Sequence, residues 1–143
     1  MQIGLFIGKL YFKASWPVLT CSVDFLFEWM INMMFSALLE QFQNLSSGSD
    51  AFKQLKNQCE AHILNADSHL EKSSLFLIYG FAKNYVLLYE DQGVTAEFSA
   101  AAKTQLLGYM QQLNDALQSG DKSLILDALN QVTVEYMQSS RVF

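Results

Sequence analysis

The sequence predicts an all-α protein: an antiparallel bundle of four to five helices around a central apolar helix at about residues 70–90, with an apolar N-terminal extension. Three observations lead to this prediction. Apolar residues recur at three- and four-residue intervals through most of the chain, which is the spacing of one helix face. One proline and seven glycines are too few for the many turns of an all-β protein. Short polar segments suited to helix ends separate the periodic stretches.

Length and composition restrict the class of protein. The chain has 143 residues, enough for one domain with a core, and 51% of them are hydrophobic, which excludes a disordered chain. The net charge of −5 and the scattered lysines argue against nucleic acid and against an anionic membrane surface as partners. Two cysteines, Cys21 and Cys59, are too few for a disulfide scaffold and favour a cytoplasmic protein.

The first part of the chain differs from the rest. Residues 1–33 carry four charged residues, whereas residues 34–143 carry twelve acidic and seven basic ones. We therefore divide the chain into an apolar N-terminal extension, 1–33, and a helical bundle domain, 34–143. The extension is interpreted either as a leader or upstream sequence before a natural start at Met33 or Met34, or as an apolar segment that packs on the bundle and lengthens its first helix.

Two further interpretations of the extension fit the sequence less well. In a secretory signal the basic residues precede the apolar run, but here Lys9 and Lys13 follow the first apolar stretch. A membrane span over residues 16–39 would hold Asp24 and Glu28 near its middle. Each acidic residue would cost about 2.5 to 3.5 kcal/mol there. A membrane anchor is therefore expected only if the extension supplies it.

The first two helices follow from their apolar spacing. The first is predicted over residues 35–45, and the serine-rich segment after it places Gly48 in a left-handed turn. Ser49 or Asp50 is expected to cap the second helix. The apolar side of that helix is predicted to consist of Phe52, Leu55, Cys59, Ile63 and Ala66.

The third helix is the most apolar segment of the bundle. Ser68 and Glu71 match a capping box, in which the glutamate side chain reaches back to the start of the helix. Over residues 75–89 all but three residues are apolar or aromatic, as in a helix that is central or shared with a partner. Gly80 costs about 1 kcal/mol relative to alanine in a helix interior. We expect a close helix crossing at this glycine.

The last two helices are bounded by clear caps. Thr95 is expected to cap the fourth helix, Gly120 to end it and Asp121 to cap the fifth. The buried side of the fourth is predicted as Phe98, Ala102, Leu106, Tyr109, Met110, Leu113 and Leu117. That of the fifth is predicted as Leu124, Ile125, Ala128, Leu129, Val132 and Tyr136. Residues 139–143 are expected to be frayed, although an apolar end can also be captured as a short peptide ligand.

The chain contains little recognisable chemistry. Cys59, His62 and His69 would align along one continuous helix, and thiolate with imidazole suits zinc or copper. The helix start near His69 turns that residue away, and Cys59 belongs to the apolar side. The paired acids Glu90 and Asp91 fit a solvated helix end better than a proton-sharing pair. We predict no metal, no cofactor and no catalytic residue, and a non-enzymatic protein is favoured over an enzyme, which would need an acid pair brought together in a cleft.

The functional prediction therefore rests on the central helix. This helix has more apolar surface than a bundle of this size can bury in its core. The excess favours a protein–protein interaction and, in particular, self-association as a homodimer. The candidate interface comprises Phe76, Tyr79, Gly80, Lys83, Tyr85 and Tyr89. The alternative hypothesis is a ligand-binding or sensory bundle with an apolar pocket lined by Tyr79, Tyr85 and Tyr89.

Overall fold

A computed structural model describes residues 34–66, 68–140 and 142–143 of the chain. Within these ranges the chain forms five helices and no strand. The helices are α1 (34–44), α2 (Ser49–Asn65), α3 (His69–Tyr89), α4 (Ala96–Ser119) and α5 (Lys122–Gln138). The all-α prediction is confirmed, and so is the separation of α2 from α3. The predictions for the extension 1–33 lie outside the described residues.

Helix α3 occupies the centre of the bundle. It forms an antiparallel hairpin with α2 and also packs against α4 and α5. Helix α1 runs antiparallel to α4, because Ser36 near its start hydrogen-bonds Asn114 whereas Gln43 near its end meets Lys103. None of the described helices is both long enough and apolar enough to cross a lipid bilayer.

Three of the predicted helix starts and one helix end are confirmed. Ser68, Thr95 and Asp121 each accept a backbone N–H bond from the first turn of α3, α4 and α5, respectively. These bonds satisfy amide groups that have no partner inside the helix. Gly120 follows α4 with a φ of 67°, the left-handed conformation that glycine adopts without strain.

The predicted start of α2 is wrong. Gly48, not Ser49 or Asp50, is its N-cap residue, and no side chain caps it. The φ of Gly48 is 173°, which is extended backbone rather than a left-handed turn. Ser49 is already helical, and its hydroxyl instead donates to the backbone carbonyl of Tyr89 at 3.4 Å. The start of α2 is thereby tied to the end of α3.

The core contains most of the predicted apolar faces. On α2 the side chains of Phe52, Leu55 and Cys59 are fully buried. The predicted α4 face is buried from Ala102 to Leu117, with Phe98 half-buried at its start. Helix α5 contributes fewer residues than predicted, since Leu124 is 51% exposed and lies outside its buried face.

The expected fraying of the terminal residues is also wrong at Phe143. Its side chain is only 3% exposed and packs among aromatic rings of four helices. Val142 beside it is half-buried. Phe143, beyond the end of α5, is therefore part of the core.

A buried lysine closes the end of α1. The ammonium of Lys103 on α4 donates to the backbone carbonyls of Gln43 (3.0 Å) and Leu45 and lies 5.5 Å from the centre of the Phe42 ring. The last carbonyls of a helix lack partners within it, and a cation at that end is also favoured by the helix dipole.

We expect Lys103→Met, which keeps the length of the side chain but removes its donors, to lower the free energy of unfolding by about 1 to 3 kcal/mol. Lys122→Met, at an exposed position of α5, provides the control and is expected to change it by less than about 0.5 kcal/mol. Urea unfolding followed by circular dichroism measures both. Equal effects of the two substitutions would contradict the capping role of Lys103.

Candidate functional site

The side of α3 that faces away from the core carries large apolar residues. Phe76 is 65% exposed and Leu87 is 72% exposed. Together with Gly80 and Lys83 they recur at three- and four-residue steps and so lie along one side of the helix. We call these four residues, Phe76, Gly80, Lys83 and Leu87, the outer face of α3.

Tyr79 borders the outer face. Its ring centre lies 6.1 Å from that of Phe76, and the ammonium of Lys83 lies 5.8 Å from the centre of the Tyr79 ring. The structure thus brings together four of the six residues of the predicted interface: Phe76, Tyr79, Gly80 and Lys83. Lysine above an aromatic ring is an attractive contact that also holds the lysine stem against the helix.

Tyr85 does not belong to this surface, and the prediction that it does is wrong. Its side chain is fully buried, and its ring stacks on Phe52 with 3.7 Å between ring centres. The Tyr85 hydroxyl donates to the Ser99 side chain at 3.3 Å, which satisfies its polar end inside the core. Tyr89 is half-buried and packs 5.0 Å from both Tyr85 and Phe98.

The alternative hypothesis, an apolar ligand pocket lined by Tyr79, Tyr85 and Tyr89, requires these three side chains to lie together. Tyr79 contacts Phe76 at the edge of the outer face, whereas Tyr85 and Tyr89 pack against each other in the bundle. The space beside the Tyr85 ring is taken up by Phe52. The three side chains therefore do not converge on one apolar ligand.

An open groove runs beside the outer face, between α3 and α5. Its volume is about 460 Å³, and Phe76 forms part of its wall. The other apolar groups that line it are Ile63 of α2, Leu77 of α3 and Leu129 of α5. Lys72, also on α3, is a charged residue of its lining. The groove extends the apolar surface of the outer face toward α5.

Gly80 faces open space on the outer face of α3. A Cβ atom added to it would meet no atom within 4 Å, so the predicted close crossing of helices inside the fold is wrong. The glycine nevertheless weakens α3 by about 1 kcal/mol relative to alanine. No atom of the described residues packs against the Cβ position of this glycine, so the outer face has no side chain between Phe76 and Lys83.

The predicted capping role of the Glu71 side chain is also wrong. Its backbone N–H donates to Ser68 at 3.4 Å, but its carboxylate does not return the bond as a capping box requires. The side chain is 1% exposed, and neither carboxylate oxygen has a hydrogen-bond partner among the described residues. Burial raises the pKa of Glu71 from 4.5 to about 7.

The reason lies in the position of Glu71 on the helix. Leu75 and Ile78 follow it at four and seven residues and are buried on the core side of α3. Glu71 is the first member of that buried row, so its side chain enters the core. The spacing is visible in the sequence, but α3 is apolar on nearly all sides, so the spacing alone does not show that this row is the buried one.

The described residues do not form a metal centre. No three side chains of histidine, cysteine, aspartate or glutamate among them come close enough to share an ion. Cys59 is fully buried and has no disulfide partner within the described part of the chain, and burial raises the pKa of its thiol to about 12. A thiol that stays protonated is a weak nucleophile and a poor ligand.

The outer face of α3 is thus the surface on which a functional argument can be built. Its chemistry is apolar and aromatic with one lysine, which suits contact with another protein rather than bond-breaking chemistry. No protein family, no curated protein and no solved structure is detectably similar to this chain.

Proposed function

We propose that this protein is non-enzymatic and acts through protein–protein contact, with the outer face of α3 joining two copies of the chain as a homodimer. The observation that carries the proposal is the exposure of Phe76 and Leu87 on the helix at the centre of the bundle. Complete burial of one such side chain is worth about 1.5 to 3 kcal/mol. A partner that covers this face would gain much of that free energy.

Gly80 favours a second copy of the chain as that partner. A two-fold symmetric contact brings the same surface of each chain together. A residue without a side chain at the centre of such a contact lets two helix backbones approach closely, as at other helix crossings rich in small residues. This role would account for a glycine on the outer face that no other residue of its own chain packs against.

The charges of the outer face are compatible with an antiparallel pairing of two α3 helices. If the helices cross at Gly80, Lys83 of one chain lies near Phe76 of the other rather than near a second Lys83. A lysine over an aromatic ring is worth about 0.5 to 2 kcal/mol, depending on how far it is desolvated. No acidic residue occurs between Glu71 and Glu90, so two acidic chains can meet here without opposing carboxylates.

Two glycine substitutions test the proposal. Gly80 and Gly108 both lie inside long helices, and a Cβ at either position meets no atom within 4 Å. We expect Gly80→Gln and Gly108→Gln each to stabilise the folded chain by about 0.5 to 1 kcal/mol, because glutamine is a better helix former than glycine. Only Gly80→Gln should weaken self-association, by tenfold or more, since its side chain would fill the gap between the two helices.

Sedimentation equilibrium of the full chain at micromolar concentrations measures this difference. The wild type and Gly108→Gln should show the mass of a dimer, and Gly80→Gln that of a monomer. Phe76→Ser should dissociate the dimer as well, whereas Leu126→Ser, at a 53% exposed position of α5, should not. A monomeric wild type, or a dimer unaffected by Gly80→Gln and Phe76→Ser, would overturn the proposal.

A cytoplasmic location forms part of the proposal. It is supported by Cys59, a fully buried cysteine without a disulfide partner among the described residues, as is usual in reducing compartments. Fractionation of the source cells with detection by antibody tests this location, and recovery in a membrane or secreted fraction would contradict it.

A further inference from the structure

An aromatic pocket encloses the side chain of Phe143. The rings of Phe81 of α3, Tyr109 of α4 and Tyr136 of α5 form the pocket, and Phe52 of α2 lies beside them with its ring centre 6.5 Å from that of Phe143. The centre of the Phe143 ring lies 5.4 Å from that of Phe81, 6.4 Å from that of Tyr109 and 6.0 Å from that of Tyr136. The rings of Phe143 and Tyr136 are parallel within 6°. Only 3% of Phe143 remains exposed.

The pocket also binds the main chain of its occupant. The Tyr136 hydroxyl donates a hydrogen bond to the backbone carbonyl of Phe143. Helix α5 ends at Gln138, so Phe143 lies outside that helix and is not a member of its buried face. A ring slot combined with a donor for the adjacent carbonyl is how peptide-binding sites hold an anchor residue of an extended segment.

We propose that the pocket of Phe81, Tyr109 and Tyr136 is a binding site for an aromatic residue of an extended peptide segment, and that Phe143 is its resident occupant. The contacts that hold Phe143 are ring packing and one hydrogen bond, and neither requires the occupant to belong to the same chain. Because a tethered residue has a high effective concentration, a free peptide cannot displace it easily. The site becomes accessible when Phe143 leaves it or is removed.

This proposal is independent of the homodimer, since none of the pocket residues belongs to the outer face of α3. The aromatic rings give the site its preference for phenylalanine over aliphatic residues, because offset and tilted ring pairs contribute beyond their buried area. The Tyr136 hydroxyl gives it a preference for an occupant with an accessible backbone carbonyl.

A titration with a short peptide tests the proposal. The protein is the full chain carrying Phe143→Ala, and the ligand is an amidated peptide with the sequence of residues 138–143. We expect saturable one-to-one binding by calorimetry, together with a rise of several degrees in the thermal midpoint of the variant at saturating peptide. A control peptide with alanine in place of phenylalanine should bind at least tenfold more weakly.

Two further proteins complete the test. The wild type should bind neither peptide measurably, because its own Phe143 fills the site. Adding Tyr136→Phe to the Phe143→Ala chain should weaken peptide binding by about fivefold, the loss expected for one hydrogen bond. If Phe143→Ala does not fold alone, it is refolded from urea in the presence of each peptide, and only the phenylalanine peptide should restore the folded state. Equal binding of both peptides, binding to the wild type as strong as to the variant, or no binding to any folded variant would each overturn the proposal.

Discussion

Phe143→Ala is expected to lower the free energy of unfolding by about 3 to 5 kcal/mol, the range measured for large aromatic residues removed from protein cores. The wild-type side chain is 3% exposed and contacts rings on α2, α3, α4 and α5. Alanine would leave a cavity between these helices and also remove the ring pairs. Few single substitutions in this bundle should cost more.

Chemical denaturation followed by circular dichroism measures the loss. Met137→Ala is the matched control, because Met137 is a large apolar residue near the end of α5 but is 53% exposed. It should change the free energy of unfolding by no more than about 0.5 kcal/mol. Phe143→Leu should fall between the two, since it keeps apolar volume without the ring. A loss of under about 1 kcal/mol for Phe143→Ala would show that Phe143 is not part of the core.

The features that could be predicted from the sequence are local ones. A helix N-cap is decided by one side chain and the amides of the next turn, and Ser68, Thr95 and Asp121 were identified on that basis. The buried face of α4 is equally local, because its apolar residues recur with the helical period. The position of Phe143 is not local. No neighbouring residue indicates that it meets Phe81, which lies 62 residues earlier in the chain.

The residues of the candidate site also depend on long-range packing and could be predicted only in part. Helix α3 is apolar on nearly all sides, so its sequence contains no polar face to indicate which side turns inward. The predicted interface consequently combined Phe76, which is exposed, with Tyr85, which is fully buried. For Gly80, the sequence reveals a missing side chain but not whether the space beside it lies inside the bundle or outside. The packing of the other helices against α3 decides which of its sides is buried and to which side Gly80 faces.

The second large effect concerns Glu71 and the dependence of stability on pH. Its pKa in the folded chain is about 7, above the ordinary value of 4.5. Below pH 4.5 the carboxyl group is protonated in both states, and Glu71 makes no pH-dependent contribution. Between pH 4.5 and 7 the folded chain keeps the proton that the unfolded chain releases, so a rise in pH favours unfolding. Above pH 7 the penalty is constant, on the order of 3 kcal/mol.

Glu71→Gln isolates this contribution, because glutamine has the same shape and does not titrate. Its buried amide adds an offset that does not change with pH, so the informative quantity is the difference between variant and wild type at each pH. We expect that difference to move in favour of the variant by on the order of 3 kcal/mol between pH 4 and pH 8. Urea unfolding at a series of pH values measures it.

The control substitution separates burial from simple loss of charge. Glu97 occupies the first turn of α4 as Glu71 occupies the first turn of α3, but its side chain is exposed. Glu97→Gln should therefore not reproduce the pH-dependent gain. Salt offers a second criterion: interactions between exposed charges weaken as ionic strength rises, whereas the cost of burying an unpaired carboxylate changes little. A pH-independent difference for Glu71→Gln, or one abolished by salt, would mean that Glu71 is solvated rather than enclosed in the core.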